Sequence, residues 1–256
     1  MKLVLKNTLL LIFTALSIHL LAQKSFLQSG PMVGYSEMRE VQLWVQTTES
    51  ANVQIVYWEK GISSKKYYTL PKVTALDKAF ACKLLANKVQ PGKIYEYELW
   101  INRIKIEFPY SCEFRSQTLW QWRTDAPDFS FVVGSCTYIN DPPYDRPKKP
   151  YGGDYQIFNS IDSTHPEFMI WLGDNIYLRE ADWNTKTGIY YRYTHTRSLP
   201  EMQSLLAHTH NYAIWDDHDF TVNDGAGGSE IERPAWKRPV FNLFKNQWSN
   251  PCTPLI

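Results

Sequence analysis

Two short apolar segments of this chain end in side chains that can bind metal ions. The first, FMIWLGDNIY at 168–177, carries the carboxylate of Asp174 and the phenol of Tyr177 near its end. The second, YAIWDDHDF at 212–220, carries three consecutive polar side chains, those of Asp216, Asp217 and His218. Each segment is typical of a buried strand that stops abruptly at a loop. Because carboxylates bind hard cations and can bridge two of them, the segments predict a di- or trinuclear metal site.

A third apolar segment, Phe129 to Gly134, leads to Cys136. Thiolate and phenolate ligands are deprotonated by a strongly acidic metal, so Cys136 and Tyr177 favour iron over magnesium alone. Two neighbouring cations can polarise a phosphoryl oxygen and generate hydroxide near neutral pH. His218, beside a ligand, would then protonate the leaving group or stabilise charge in the transition state. The simpler alternative is that the thiol is a small buried hydrophobe and the phenol a packed aromatic.

Helical patterns separate these predicted strands. Asp154 is positioned to cap a helix with Ile157, Phe158 and Ile161 on one face. Ser198-Leu199-Pro200-Glu201 has the pattern of a capping box, and another helix is predicted to start near Pro239. Alternation of strands and helices over 129–256 predicts an α/β layer structure, with ligands bound at the carboxyl ends of the strands.

Residues 28–118 follow a period of two instead. Val41, Leu43 and Val45 alternate with Gln42, Trp44 and Gln46, and turn signals separate several such runs. This pattern predicts a β-sandwich, with residues 119–128 as a linker to the second region. Residues 89–95 resemble a corner of fibronectin III and immunoglobulin-like modules, in which a tyrosine hydroxyl, here that of Tyr95, bonds to the backbone upstream.

The N-terminus and the charge limit where the protein acts and what it binds. Residues 1–22 have a short basic start and an apolar stretch too short to span a bilayer, which predicts a cleaved signal peptide. We therefore expect an exported protein, periplasmic or extracellular, without a stable membrane anchor. A net charge of +1 gives no electrostatic reason to expect nucleic acid as a partner. In an exported protein, Cys82 and Cys112 either form a disulfide or remain two buried thiols.

Three motifs of the chain resemble the alkaline phosphatase D (PhoD-like) family of metallophosphatases. They are GSC at 134–136, GDNIY at 173–177 and WDDHD at 215–219. The segment 191–207 and the predicted sandwich also resemble that family, so the similarity covers most of the mature chain. It implies a calcineurin-like α/β catalytic domain with one iron(III) and calcium ions, although another divalent metal is compatible with these residues. It also implies hydrolysis of phosphate mono- and diesters, with a small phosphate ester as substrate.

The resemblance implies roles for individual residues. It implies iron ligands at Cys136, Asp174 and Tyr177, with Asp174 bridging. It further implies a metal ligand at Asp217, where related metallophosphatases have Asn, with Asp216 as the alternative. It also implies the catalytic histidine at His218 and a substrate contact at Asn223. Arg192 and Arg197 are further candidates for phosphate contacts, because a guanidinium can bind two phosphate oxygens at once. Surface ion pairing is the equal alternative for both arginines. The loop from 141 to 153 is expected to lie over the mouth of the site.

Further metal ligands of the family come from a later part of the domain. No Gly-Asp-x-His or Gly-His-x-His pattern follows Trp248 in this sequence. We therefore expect an N-terminal half of the catalytic domain, with an incomplete metal shell, an unpaired sheet edge and impaired activity. Two other functions stay open: a non-catalytic protein that binds a surface or glycan through the sandwich, and a cysteine hydrolase that uses Cys136 and His218.

Overall fold

We describe the protein from a computed structural model. It describes residues 26–145, 148–183, 185–220, 223–225 and 237–251. The predicted signal peptide, residues 1–22, lies outside the described residues and stays a prediction. Within the described part of the chain, no helix has the length and apolar character needed to cross a membrane.

The first region consists of antiparallel strands. They are β1 (Leu27–Ser36), β2 (Val41–Thr47), β3 (Asn52–Glu59), β4 (Tyr67–Tyr68), β5 (Lys72–Val73), β6 (Ala81–Ala86), β7 (Ile94–Ile101), β8 (Ile104–Ile106) and β9 (Glu113–Arg115). One sheet has the order β1-β2-β6, and the other has the order β4-β3-β7-β8, with β5 paired to β3 and β9 to β7. Alternate residues of both sheets, such as Leu43 and Leu99, meet in one buried cluster. The predicted period of two therefore places the core of this region.

The bond predicted at the corner before β7 is present. The hydroxyl of Tyr95 accepts a hydrogen bond from the backbone N–H of Gln90 at 2.8 Å. The Tyr95 ring stacks on Phe114 with centroids 5.4 Å apart, which holds β7 against the rest of the core.

The second region contains a parallel sheet with helices. The strands β10 (Phe131–Gly134), β11 (Phe168–Leu172) and β12 (His210–Ile214) are parallel and lie in that order. The helices are α1 (Ile157–Asp162), α2 (Lys186–Arg197), α3 (Pro200–His208) and α4 (Lys237–Gln247). Because all three strands run the same way, their carboxyl ends lie along one edge of the sheet.

The two regions pack against each other through a shared apolar cluster. Trp44 of β2 belongs to the same cluster as Trp171 of β11, Leu205 of α3 and Trp248. The indole N–H of Trp44 donates to the carbonyl of Asn246 at 3.1 Å. Trp44 is therefore fully buried, and β2 is buried on both faces rather than on the one face that its alternating pattern predicts.

The strands of the parallel sheet are only half buried, which corrects the expectation of buried strands. Met169 and Trp171 face the cluster, whereas Val133, Leu172 and Ile214 are 52%, 44% and 56% exposed. Among the described residues, helices cover one face of the sheet, and the other face keeps its apolar side chains exposed.

Two predicted helix caps are wrong. Helix α1 follows Gln156, which is itself helical, and no side chain caps it, so Asp154 does not serve as its cap. The hydroxyl of Ser198 donates to the carbonyl of Thr194 and thus closes the preceding helix α2. Helix α3 begins instead after Leu199, with Pro200 at its first position. Its predicted apolar face is present, since Met202, Leu205 and Leu206 are buried.

Candidate metal centre

The chain leaves β10 and β11 through turns that require a left-handed backbone. Cys136 has φ 59°, Gly173 has φ 97° and Asp174 has φ 51°. Two hydrogen bonds join the turns: Cys136 N–H donates to the Gly173 carbonyl at 3.3 Å, and Thr137 N–H donates to the Asp174 carbonyl at 2.8 Å. Non-glycine residues in this region carry backbone strain, which is concentrated at functional sites. The two hydrogen bonds between the turns hold the thiol and the carboxylate side by side in spite of this strain.

Glycine at position 173 also allows the end of β12 to approach. A Cβ placed on Gly173 would lie 2.5 Å from the Cβ of Asp216 and 3.0 Å from its backbone nitrogen. No side chain fits in that space. Because glycine has no side chain, the residues after β12 can lie next to those after β11.

Five of the side chains predicted to do chemistry converge at this edge of the sheet. The Sγ of Cys136 lies 3.6 Å from Oδ2 of Asp174, and the Tyr177 hydroxyl donates to the same oxygen at 2.9 Å. One potential ligand atom from each of Asp174, Asp217 and His218 lies within 4.8 Å of the others. The rings of His218 and Tyr177 are 4.4 Å apart.

The surroundings of Asp174 fit a cation. Asp174 is only 9% exposed, and its Oδ1 is a buried atom without a hydrogen-bond partner among the described residues. An unpartnered buried carboxylate oxygen is costly unless a cation compensates it. Burial, followed by hydrogen bonding to Cys136 and Asp174, raises the pKa of Tyr177, so the phenol stays protonated until a strong Lewis acid displaces the proton. Thiol, phenol, carboxylate and imidazole groups together suit a transition metal such as iron.

A short 3-10 turn, Asp217–Asp219, presents Asp217 and His218. Asp216 caps it through a capping box with Asp219, and its carboxylate accepts the N–H of Asp217. Asp216 is thus used by the backbone, and it is Asp217 that joins the cluster. The Asp217 carboxylate accepts hydrogen bonds from the N–H groups of His218, at 2.8 Å, and Asp224. Asn223 is exposed and adjacent to this contact.

Two residues of the motifs position the others, a role that the sequence analysis did not assign. The fully buried Asp219 accepts hydrogen bonds from the backbone N–H of Asp216 and from both the backbone and the side chain of Asn175. The Asn175 amide also donates to the Ile214 carbonyl at 2.8 Å. Burial raises the pKa of Asp219 to about 7. Asn175 lies inside GDNIY next to Asp174, and Asp219 lies inside WDDHD next to His218. These positions beside candidate ligand and catalytic residues were the signal in the sequence for their role.

The structure does not place the predicted arginines at the mouth of the site. Arg192 is 2% exposed, and its guanidinium pairs with Asp182 at 2.8 Å and with Asp141 at 3.5 Å. Arg197 is 3% exposed and lies over the rings of Trp44 and Trp248. Neither guanidinium is available to a phosphate, because both are enclosed by protein. The ion pairing that we weighed as the alternative is present for Arg192, but it is buried rather than on the surface.

The loop predicted over the site mouth lies beside the cluster. The ring of Tyr151 is 4.6 Å from that of Tyr138, which is 4.9 Å from that of Tyr177. Residues 146 and 147 of this loop lie outside the described residues. The loop therefore reaches the site through a row of aromatic side chains that ends on a candidate ligand.

The remaining cysteines do not enter the site. Cys82 and Cys112 are free thiols, so of the two alternatives the unbridged one is present. Burial raises the pKa of each to about 12. Cys252 lies outside the described residues.

Comparisons with known proteins agree on the fold. Residues 24–119 match a family model described as a domain of unknown function, DUF7800. A solved structure of PhoD is similar over 87% of this chain, with a TM-score of 0.69 and 16% identity. A purple acid phosphatase, PPD1 from seeds of yellow lupin (Lupinus luteus), is similar over 88% of this chain, with a TM-score of 0.59 and 9% identity. No curated protein matches the chain.

These likenesses define a metallophosphatase-like fold. The chain spans about half the length of the two phosphatases, 46% of the PhoD chain and 42% of the lupin enzyme. At such low identities, the likeness concerns the fold and not the reaction.

Proposed function

We propose that this chain belongs to an exported, metal-dependent phosphoesterase that hydrolyses phosphate mono- or diesters. The observation that carries the proposal is the convergence of Cys136, Asp174, Tyr177, Asp217 and His218 at the carboxyl edge of a parallel sheet. The similarity of the fold to two phosphatases supports it. Because the chain spans less than half of each, the activity is proposed for a longer polypeptide that includes it.

The residues present fit two kinds of cation. Cys136, Asp174 and Tyr177 would hold iron(III), and Asp217 would hold calcium or another divalent ion, with Asp174 between them. When bound, these ions would polarise the phosphoryl oxygens and lower the pKa of a coordinated water. The buried Oδ1 of Asp174 has no hydrogen-bond partner among the described residues, and a bound cation would compensate it.

We assign the catalytic role to His218. It is half-buried, and its ring lies 4.4 Å from that of Tyr177, which limits how far it can turn. An imidazole held beside the ligands would donate a proton to the leaving oxygen or stabilise negative charge on the phosphoryl group. Asn223, exposed next to the Asp217 turn, would contact a phosphate oxygen through its amide.

We infer that the first region is a β-sandwich of the fibronectin III or immunoglobulin type. Its two antiparallel sheets share one core, and the Tyr95 bond is the one expected of such a module. We assign it a structural role, because Trp44 and Met32 pack into the same cluster as the catalytic sheet.

The proposal is tested on a version of the protein that is extended by the rest of its catalytic domain. We expect that version to hydrolyse an aryl phosphate ester and to bind iron near stoichiometrically. Asp174→Ala should abolish turnover, whereas Asp125→Ala, which removes an exposed carboxylate outside the site, should retain it. Undiminished turnover by Asp174→Ala would refute the proposal.

A further inference from the structure

We propose that Arg192 is a positioning residue for the metal centre, because it ties together the two loops that carry Cys136 and Asp174. The expected effect on metal binding rests on the proposed function, whereas the expected effect on the two loops does not. Arg192 belongs to helix α2 and is 2% exposed. Two carboxylates compensate the charge of this buried guanidinium, and removing one partner of such a buried ion pair is strongly destabilising.

The two carboxylates that compensate it come from different loops. Asp141 belongs to the loop after β10, five residues beyond Cys136. Asp182 belongs to the loop after β11, five residues beyond Tyr177. The Nε of Arg192 donates to Asp182 Oδ2 at 2.8 Å, and its Nη2 donates to Asp141 Oδ2 at 3.5 Å. One side chain thus joins both ligand-bearing loops on the side where they meet α2.

Neighbouring contacts show that each loop is held where Arg192 reaches it. Asp182 Oδ2 also accepts the backbone N–H of Arg179 at 2.8 Å, which closes the turn in its own loop. Asp141 Oδ2 also accepts the hydroxyl of Tyr191 at 3.0 Å. One turn further along α2, Nε2 of His195 lies 2.9 Å from the carbonyl oxygen of Asn140. Three side chains of one helix therefore hold the loop that carries the thiol.

The helix also sits very close to the second loop. A Cβ placed on Gly188 would lie 2.6 Å from the backbone of Asp182. This close approach leaves little freedom for the loop after β11 relative to α2. The loop after β10 is held to α2 by side chains instead, and of these Arg192 also bonds to the loop after β11, so it fixes the two loops relative to each other.

Arg197 provides a matched control on the same helix. It is also a buried arginine, but it contacts Trp44, Trp248 and the carbonyl of Gln247 rather than either loop. Changing it to Gln removes the same buried charge from the same helix without removing a bond to Asp141 or Asp182. Its effect measures the general cost of losing a buried arginine.

The test uses the full chain, with Co²⁺ as the probe and hydrogen exchange of the metal-free protein as a second readout. In Arg192→Gln we expect Co²⁺ binding to weaken by about tenfold, the lower end of the effect of removing a ligand's own hydrogen-bond partner, because Arg192 contacts the loops and not the ligands. The thiolate-to-cobalt absorption should weaken with it, and Arg192→Lys should restore part of the affinity. In the metal-free protein, the amides of Cys136 and Thr137, which bond across to the other loop, should exchange faster in Arg192→Gln than in Arg197→Gln.

The outcomes separate this inference from the proposed function. Equal Co²⁺ affinity and equal amide exchange in Arg192→Gln and Arg197→Gln would overturn the positioning role. If the unchanged chain binds no Co²⁺, the proposed metal centre fails, and the amide exchange still decides the role of Arg192. Should Arg192→Gln fail to fold, the same comparison is made between Arg192→Lys and Arg197→Lys.

Discussion

The thiol of Cys136 lies 3.6 Å from the carboxylate of Asp174, although 38 residues separate them in the chain. Two parallel strands make this contact, because each ends at the same edge of the sheet and turns through a left-handed residue. Neither side chain would be held there by its own loop alone. The contact therefore depends on the fold of the sheet, and it joins two of the proposed metal ligands.

The unpartnered oxygen of Asp174 predicts opposite effects of one substitution on metal binding and on stability. Asp174→Asn should weaken Co²⁺ binding by more than about tenfold. The metal-free protein should be as stable or more stable, since a buried charge whose Oδ1 has no hydrogen-bond partner no longer has to be desolvated. Asparagine tolerates the left-handed backbone at this position. Titration with Co²⁺ and urea unfolding measure the two effects, with Asp216→Asn as control; a large loss of stability would contradict this account.

The close approach at Gly173 predicts a strong effect of a single methyl group. Gly173→Ala should destabilise the protein by more than about 1–3 kcal/mol, the usual cost of backbone strain, because its Cβ would also meet Asp216. Gly152→Ala is the control, since Gly152 has φ +66° but nothing within 4 Å of the added Cβ. Urea unfolding compares them. Equal losses in the two variants would show that strain alone, and not the contact between the loops, limits this position.

His210 predicts that stability falls in mild acid. It is buried at the junction of the two regions, where Nε2 accepts the N–H of Arg115 at 3.2 Å and Nδ1 therefore donates to the Gly34 carbonyl at 2.8 Å. Burial lowers its pKa below the usual 6.5, so the unfolded chain binds the proton more readily. The contribution of His210 to the free energy of unfolding should therefore be fully present above pH 6.5 and should decrease as the pH falls below that value.

Substitution of His210 isolates its share of this pH dependence. His210→Gln should flatten the decline below pH 6.5, although the variant is less stable throughout. His195→Gln is the comparison, since His195 lies on α2, away from the junction of β1 and β9. Urea unfolding at several pH values measures the slopes. An unchanged slope in His210→Gln would assign the acid sensitivity to other groups.

The exposed face of the parallel sheet predicts association of the 256-residue chain. Val133, Leu172 and Ile214 form part of a continuous apolar surface, and surfaces of this kind are usually covered by other protein. We expect sedimentation velocity to show concentration-dependent association. Val133→Lys with Ile214→Lys should suppress it, whereas Leu70→Lys, which changes an exposed leucine in the first region, should not. Association that persists in the double variant would exclude this face.

The sequence by itself determined where the chemistry lies along the chain. Cys136, Asp174 and His218 were identified because each follows an apolar segment that ends at a loop, and that pattern is local. The period of two placed the core of the first region for the same reason, since alternation is a property of each strand. These features depend on a few consecutive residues and need no knowledge of distant contacts.

Only the tertiary structure decided which side chains face one another. Arg192 had the chemistry of a phosphate contact, yet α2 directs it between Asp141 and Asp182, and Trp44 is buried because a second region covers its strand. The tertiary structure also decided that the parallel sheet is half exposed. Because only one of its faces is covered among the described residues, only alternate residues of its strands are buried. The sequence around a charged or aromatic residue does not show which groups will pack against it, because those groups belong to segments far away in the chain.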